Sequence, residues 1–326
     1  MNSLEKSILS TLVYYDVLGC PLTNWEIFKY LNKLSEVTTI RSRTSIFSIL
    51  SVLDNSSELA KFISKKNGIY FLKGRQKIIK QRIERQIISD KKWKKARRVI
   101  RFLQLIPYIR MVAVSGSLAM NNAKEESDID LLIITKSDRI WTCRIFTTLF
   151  IHLIGQRRHS DLTKNRFCLN HYITDQSLSI PWKSLYNAQT YAHLVPVWQK
   201  RGMYKKFQKA NSWINDYLFN YPIIEKGYLT TIKSVYFFGV IRRFRENFFN
   251  TWFGNVLEYF LRKIQERKIR KEPLTYKSGG RVIFNDKQLE FHPDSPENKI
   301  LEKYNNKMKK LGFKELGMEK DSGLTI

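Results

Sequence analysis

The sequence predicts an α/β fold in three parts, and three observations carry that prediction. Residues 1–74 show helical apolar stripes separated by turn residues and end on a hairpin signal at Asn67-Gly68. Residues 106–200 hold short apolar runs at 111–114, 129–134 and 167–173, with a helical stretch between the last two, the pattern of a sheet with packed helices. Residues 201–326 are mainly helical in periodicity, rich in aromatic side chains and interrupted by one hairpin. A basic stretch at 75–105 joins the first part to the second.

In the first part, Leu4, Ile8, Leu12 and Val13 form one helical stripe, stopped by Gly19-Cys20-Pro21. Thr23 and Glu26 have the spacing of a capping box and open a second helix through Trp25, Ile27, Phe28 and Leu31. A third helix is expected at about 43–54, on Ile46, Phe47, Ile49, Leu50 and Leu53. Three helices followed by a hairpin resemble a winged helix-turn-helix domain, in which the third helix enters a major groove. That helix has cations only at its start, Arg41 and Arg43, and the hairpin adds Lys65 and Lys66. A DNA reader and a protein-contact module both fit. From 75 to 101, Ile79, Ile83 and Ile87 recur every four residues, as in an amphipathic helix. Twelve cations there face only Glu84 and Asp90, and Lys91, Lys92, Lys94, Lys95, Arg97 and Arg98 surround Trp93. Like charges at helical spacing repel, so this face is expected to meet a polyanion.

The chemistry is concentrated between 114 and 134. Residues i and i+2 of a strand share a face, so Asp128 and Asp130 project together while Ile129 and Leu131 point away. The apolar run that follows implies burial, where paired like charges are costly. A divalent cation relieves them, and hard oxygen ligands suit Mg²⁺ or Mn²⁺ bound jointly with substrate phosphates. Upstream, Gly116-Ser117 follows its own apolar run and precedes a helix start. Glycine there admits close backbone approach, and free N–H groups with the Ser117 hydroxyl suit a phosphate.

Val114-Ser115-Gly116-Ser117, the spacer, and Asp128-Ile129-Asp130-Leu131 with Ser127 before the first acid resemble the nucleotidyltransferases of the DNA polymerase β superfamily. The resemblance covers about 106–200. It implies that Asp128 and Asp130 hold two metal ions and that Gly116 and Ser117 cradle the triphosphate of an NTP. A nucleoside monophosphate would then pass to a hydroxyl acceptor with loss of pyrophosphate. It further implies a third carboxylate on the next strand, whose expected centre is Asn170. An amide oxygen can ligate a metal but cannot act as a general base. Asp161 and Asp175 flank that strand as substitutes. Simple alternation puts His171 on the face opposite Asn170, with Leu169 and Ile173, as a packed histidine. The departure at Asn170 leaves a second reading open, a nucleotide-sensing, DNA-binding regulator without turnover.

Between the two strands, Asp138 is placed to cap a helix over 139–154 that ends at Gly155. Gln156-Arg157-Arg158-His159, Lys164 and Arg166 follow, either as partners for triphosphate or as a solvated loop. Beyond the module, 186–198 and 205–221 are expected to be helical. Segment 231–270 interleaves aromatic side chains with Arg242, Arg243 and Arg245, and is expected to pack on its own protein or a second copy. A hairpin over 281–284 and 287–291 turns at Asn285-Asp286, a last helix runs over 296–310, and the tail from Met318 is expected to be disordered.

At 326 residues the chain is long enough for two or three cores. Its net charge of +28 attracts polyanions, whether nucleic acid, acidic lipid headgroups or nucleotides. Cys20, Cys143 and Cys168 lack metal-binding or disulfide-framework spacing and are expected to pack as small apolar residues in a reducing compartment. The opening residues lack signal-peptide order, and no uncharged stretch reaches transmembrane length. A cytoplasmic protein is expected, with self-association open.

Overall fold

Asn2 and Thr23, each followed three residues later by a glutamate, cap the first two helices, and in both the glutamate reaches back to the cap N–H. The computed structural model describes residues 1–34, 44–158, 162–200, 202–222 and 231–313. Helix α1 spans Ser3–Val17, a short strand β1 is Leu22–Thr23, and α2 is Asn24–Lys29. Helix α3 is Ile46–Asn55, and the strands β2 (Ile63–Lys66) and β3 (Ile69–Leu72) form a hairpin. Asn67 and Gly68 turn it with φ of 51° and 73°, as a type I′ turn requires. These strands form one antiparallel sheet in the order β1-β3-β2. Arg41, Arg43, His159, Asp161 and the tail from Met318 lie outside the described residues.

The basic stretch is one helix, α4, Ile78–Leu103. Then come β4 (Ile109–Val114), a single turn α5 (Gly116–Ala119), β5 (Ile129–Thr135), α6 (Ile140–Leu153) and β6 (Phe167–Thr174). Next are α7 (Leu185–Ala192), β7 (Val195–Gln199), α8 (Met203–Ala210), α9 (Tyr236–Phe249) and α10 (Trp252–Lys271). The hairpin β8 (Arg281–Phe284) and β9 (Gln288–His292) and helix α11 (Glu297–Lys310) complete the described chain. The main sheet is mixed and ordered β7-β4-β5-β6-β9-β8, with β5 and β6 parallel and joined through α6. One face packs Val112, Val114, Leu131, Ile133 and Tyr172 against α4 and α6. The other packs Met111, Ala113, Leu132, Ile134 and Ile173 in a core shared with α1, α7 and α11. The N-terminal segment is therefore seated on the sheet. Buried Gln189 of α7 accepts from Tyr15 Oη at 2.6 Å and donates to Asn32 Oδ1 at 2.7 Å.

Three local expectations are corrected. The stretch 186–198 is not one helix, since Val195-Pro196-Val197-Trp198 lies in strand β7, which among the described residues pairs with β4 at the edge of the main sheet, a position that tolerates proline. The stretch 205–221 breaks at Asn211, whose side chain bonds Ile180 N, Leu178 O and Phe207 O instead of continuing a helix. Asp138 does not cap α6. Glu258 of α10 does, accepting from the N–H groups of Trp141 and Thr142 at 2.9 Å each. The segment 201–326 also supplies two strands of the main sheet.

Helix α9 is tied to the sheet by a buried charge. Glu246 accepts from Tyr108 N at 2.9 Å and from Arg110 Nη1 at 2.8 Å, and both side chains are about 10% exposed. Burial pushes the Glu246 carboxyl up, but the Arg110 hydrogen bond and charge outweigh it and hold the carboxyl low. Removing one partner of such a pair leaves the other charge buried and unmatched. Glu246→Ala should cost about 3–5 kcal/mol in urea unfolding, and Arg110→Met in the same background should recover part of that loss. A lowered carboxylate stabilises above its unfolded pKa, so wild type should lose this contribution as pH falls below the ordinary glutamate range, and Glu246→Ala should not.

Candidate active site

Asp128 is the last residue before β5 and Asp130 is its second residue, so the expected strand places both acids at one end of the sheet. Asp130 lies beside Cys168 in the parallel register with β6, and its carbonyl accepts from Ser115 N at 3.0 Å. Gly116 has φ +66°, and a Cβ there would stand 2.5 Å from Asp130 Oδ2. Glycine suits both that backbone angle and that contact. A carboxylate oxygen from each of Asp128 and Asp130 lies with Cys168 Sγ in a group whose atoms are all within 4.8 Å of one another. Ser117 is half-buried at the first turn of α5, and its hydroxyl has no partner among the described residues.

The charges of the site are balanced by neighbouring groups of the chain. Burial, then the adjacent Asp128, raises the Asp130 carboxyl to about 7, opposed by the Cys168 hydrogen bond and the Arg158 charge. Burial and the two carboxylates likewise keep Cys168 a neutral thiol. Arg158 Nη1 donates to Asp128 Oδ2 at 2.7 Å and lies 3.6 Å from Cys168 Sγ. The chain's own guanidinium thus provides the positive charge that two adjacent carboxylates require. Arg158 also lines a cleft of about 220 Å³ with Arg144, Arg157, Thr148 and Asn170.

Two cations expected to face a polyanion are used inside the protein. Lys92 Nζ donates to Glu125 O (3.1 Å), Ser127 O (2.6 Å) and Asn165 Oδ1 (2.7 Å), and Lys95 Nζ donates to Asn165 O. The first two acceptors belong to the loop that delivers Asp128, and Asn165 precedes β6. Lys92 therefore positions the entry of both site-bearing strands.

Strand β6 changes the expected alternation. Asp130 pairs with Cys168 and Leu132 with His171, so Leu131 alone opposes Leu169 and Asn170 in a bulge. Asn170 sits in that bulge, half-buried at the rim of the arginine-lined cleft. Cys168 takes the place beside Asp130 that the sequence reading gave to a third acid or Asn170. His171 pairs with Leu132, two residues beyond Asp130, so it shares the Asp130 face rather than Leu169's. Asp175 lies past the far end of β6, accepts from Ser137 N and Oγ, and is not near Asp130.

Sequence reading missed a second polar group on this face. His171, Glu290 and His292 offer ligand atoms all within 4.8 Å of one another, and Glu290 is fully buried. Trp182 Nε1 and Gln288 Nε2 each donate to Glu290 Oε2 at 3.0 Å, with Arg281 Nε 3.5 Å from Oε1. Burial pulls His171 down to about 3 and His292 to about 4, so both rings are neutral. The available signal was the alternation Gln288-Leu289-Glu290-Phe291-His292, a polar face on a strand that joins β6 from far along the chain.

A carboxyl raised by folding favours the protonated folded state, so its contribution falls as pH rises from the unfolded value of 3.8 through about 7. Asp130→Asn removes that titration. Without metal, the variant should be more stable than wild type at pH about 8 by about 1–4 kcal/mol, the low end allowing for solvent that still reaches the carboxyl. The difference should vanish near pH about 4 in parallel calorimetric scans. A constant difference across that range would contradict the raised carboxyl.

No curated protein and no solved structure matches the chain. Residues 94–191, which carry Gly116, Ser117, both acids, Cys168 and His171, match the family model of the nucleotidyltransferase domain.

Proposed function

We propose that this chain transfers a nucleoside monophosphate from an NTP to a hydroxyl acceptor, with Asp128 and Asp130 holding Mg²⁺ or Mn²⁺ and Gly116 and Ser117 receiving the triphosphate. The observation behind this reading is the convergence of both carboxylates at one end of the sheet, with Asp130 packed against Gly116 in a left-handed backbone conformation that favours glycine. The donor set fits a hard divalent cation: two carboxylate oxygens, one of them on a carboxyl raised by burial and then by its neighbour. Such an ion, when bound, would offset triphosphate charge and favour in-line displacement of pyrophosphate. Arg158, freed from Asp128, would join Arg144 and Arg157 in the adjoining cleft as phosphate partners. In the two-metal form a third ligand is needed beside Asp130, where Cys168 stands, with Asn170 as the nearby amide donor.

The thiol at that place also supports the second reading, a nucleotide-sensing regulator without turnover. Its DNA-binding half would be a winged helix at 1–74, followed by the basic linker helix. Helix α3 itself carries no Lys or Arg. Cations instead line a cleft of about 800 Å³ between the β2–β3 hairpin and α4, through Lys66, Arg75, Lys77 and Lys80. Farther along α4, Lys91, Lys94, Arg97 and Arg98 are exposed. We place any nucleic-acid contact on these residues.

Label transfer from α-labelled NTPs in a lysate of the source cells, with metal and with chelator, separates the two readings. The expected outcome is a metal-dependent labelled product that Asp128→Asn with Asp130→Asn abolishes. Cys168→Asp should restore a third carboxylate and raise transfer by at least about tenfold, within the range that positioned acid–base groups supply. Firm Mg·NTP binding without transfer by wild type or Cys168→Asp would favour the sensor. Unchanged Mg·NTP affinity in the double Asp variant would remove the site assignment itself.

A further inference from the structure

Helices α9 and α10 leave a large apolar face uncovered. Phe237 is 65% exposed, Phe244 74%, Phe248 57%, Trp252 77%, Phe260 57% and Ile264 61%. On α9, Phe237, Val240, Phe244 and Phe248 follow helical spacing, so they form one stripe. Ring contacts carry the apolar side chains on from α9 to α10 and α6. Phe248 and Phe249 both contact Phe253, Phe249 contacts Phe146 of α6, and Leu149 and Leu153 of α6 are also exposed. Soluble surfaces rarely carry so many adjacent large apolar side chains without a partner.

The charges on the same two helices identify that partner. Between 236 and 271 there are nine Lys and Arg against three acids, Glu246, Glu258 and Glu266. All three acids are engaged internally, on Arg110, on the N-terminus of α6 and on Arg262. What faces outward is therefore apolar and cationic, with Arg243, Lys263 and Arg267 among the exposed cations. A symmetric pairing with a second copy would set these cations against themselves. A nucleic acid would match the charge and stack on aromatic rings, but it would leave Val240, Leu149, Leu153 and Ile264 without a counterpart. An anionic bilayer surface matches both, taking the apolar stripe among the acyl chains and the cations at the headgroups. We propose that the α9–α10 face docks on an anionic lipid surface. The attachment is peripheral, because no helix among the described residues is long and apolar enough to cross a membrane. It is independent of the reading of the acidic site.

The full chain is sedimented with vesicles of phosphatidylcholine alone and with vesicles that also contain phosphatidylglycerol. Wild type should follow the anionic vesicles, less so as salt rises. Phe244→Ser with Phe248→Ser and Trp252→Ser should weaken that partitioning by at least about tenfold. Arg243→Glu with Arg267→Glu should weaken it in the same direction, and neither variant should alter Mg·NTP binding. Absence of wild-type binding to anionic vesicles, or binding equal in all variants, would overturn the proposal. So would a wild-type dimer that the aromatic variant dissociates, or single-stranded oligonucleotide binding that only this variant loses.

Discussion

Two carboxylates side by side at the end of a buried strand, one of them pressed against Gly116, are the constraint around which this region of the molecule is organised. Neither acid is neutralised within its own strand, so the surroundings supply what is missing. Arg158 brings a cation to Asp128, Cys168 brings a hydrogen bond to Asp130, and burial pushes the Asp130 carboxyl up toward its neutral form. Lys92 fixes the segments that deliver both strands by binding the main-chain oxygens of Glu125 and Ser127 and the side-chain oxygen of Asn165 rather than the acids themselves. A site built this way balances its own charge through neighbours on other elements, so the order of the loops around it and the charge at its centre depend on each other.

This centre was legible in the sequence because its logic is local. Glycine, serine and two acids at fixed spacing state their own faces once the strands are recognised, and the structure brings Gly116, Asp128 and Asp130 together. The capping boxes at Asn2 and Thr23 and the Asn67-Gly68 turn were legible for the same reason. Long-range effects were not. The bulge at Leu169 and Asn170 shifts one residue of register, so Cys168 stands beside Asp130 and His171 changes face. Glu258 caps α6 from more than a hundred residues away, displacing the role read for Asp138. The hairpin at 281–292 was recognised as a hairpin, but no short-range signal says that it extends the main sheet and brings Glu290 and His292 to the site face.

The charge excess likewise resolves only in three dimensions. In sequence, the run around Trp93 is a block of six equivalent cations. In the fold, Lys92 and Lys95 are structural, and Arg85, farther up the same helix, is buried against Asn122 and the carbonyls of Leu18 and Gly19. A lysine whose three N–H groups are already spent on three acceptors has no capacity left for a phosphate. Counting charge along a helix therefore overstates the polyanion-binding face. The residues left for that purpose are the exposed ones, spaced along one side of α4.

The same division of labour governs the other end of the chain. On α9 and α10 the scarce acids are spent inward, Glu246 anchoring one helix to the sheet and Glu258 holding the start of α6. Phe249, Leu261 and Ile269 pack on the core, and the buried carboxylates add to that anchoring, so the remaining phenylalanines stay exposed without loosening the helices. Amphipathic helices that fold against a core usually spend their apolar side on it. Here buried charge does part of that work, and the apolar side faces outward. That inversion separates a helix displayed for a partner from one merely left over at the surface.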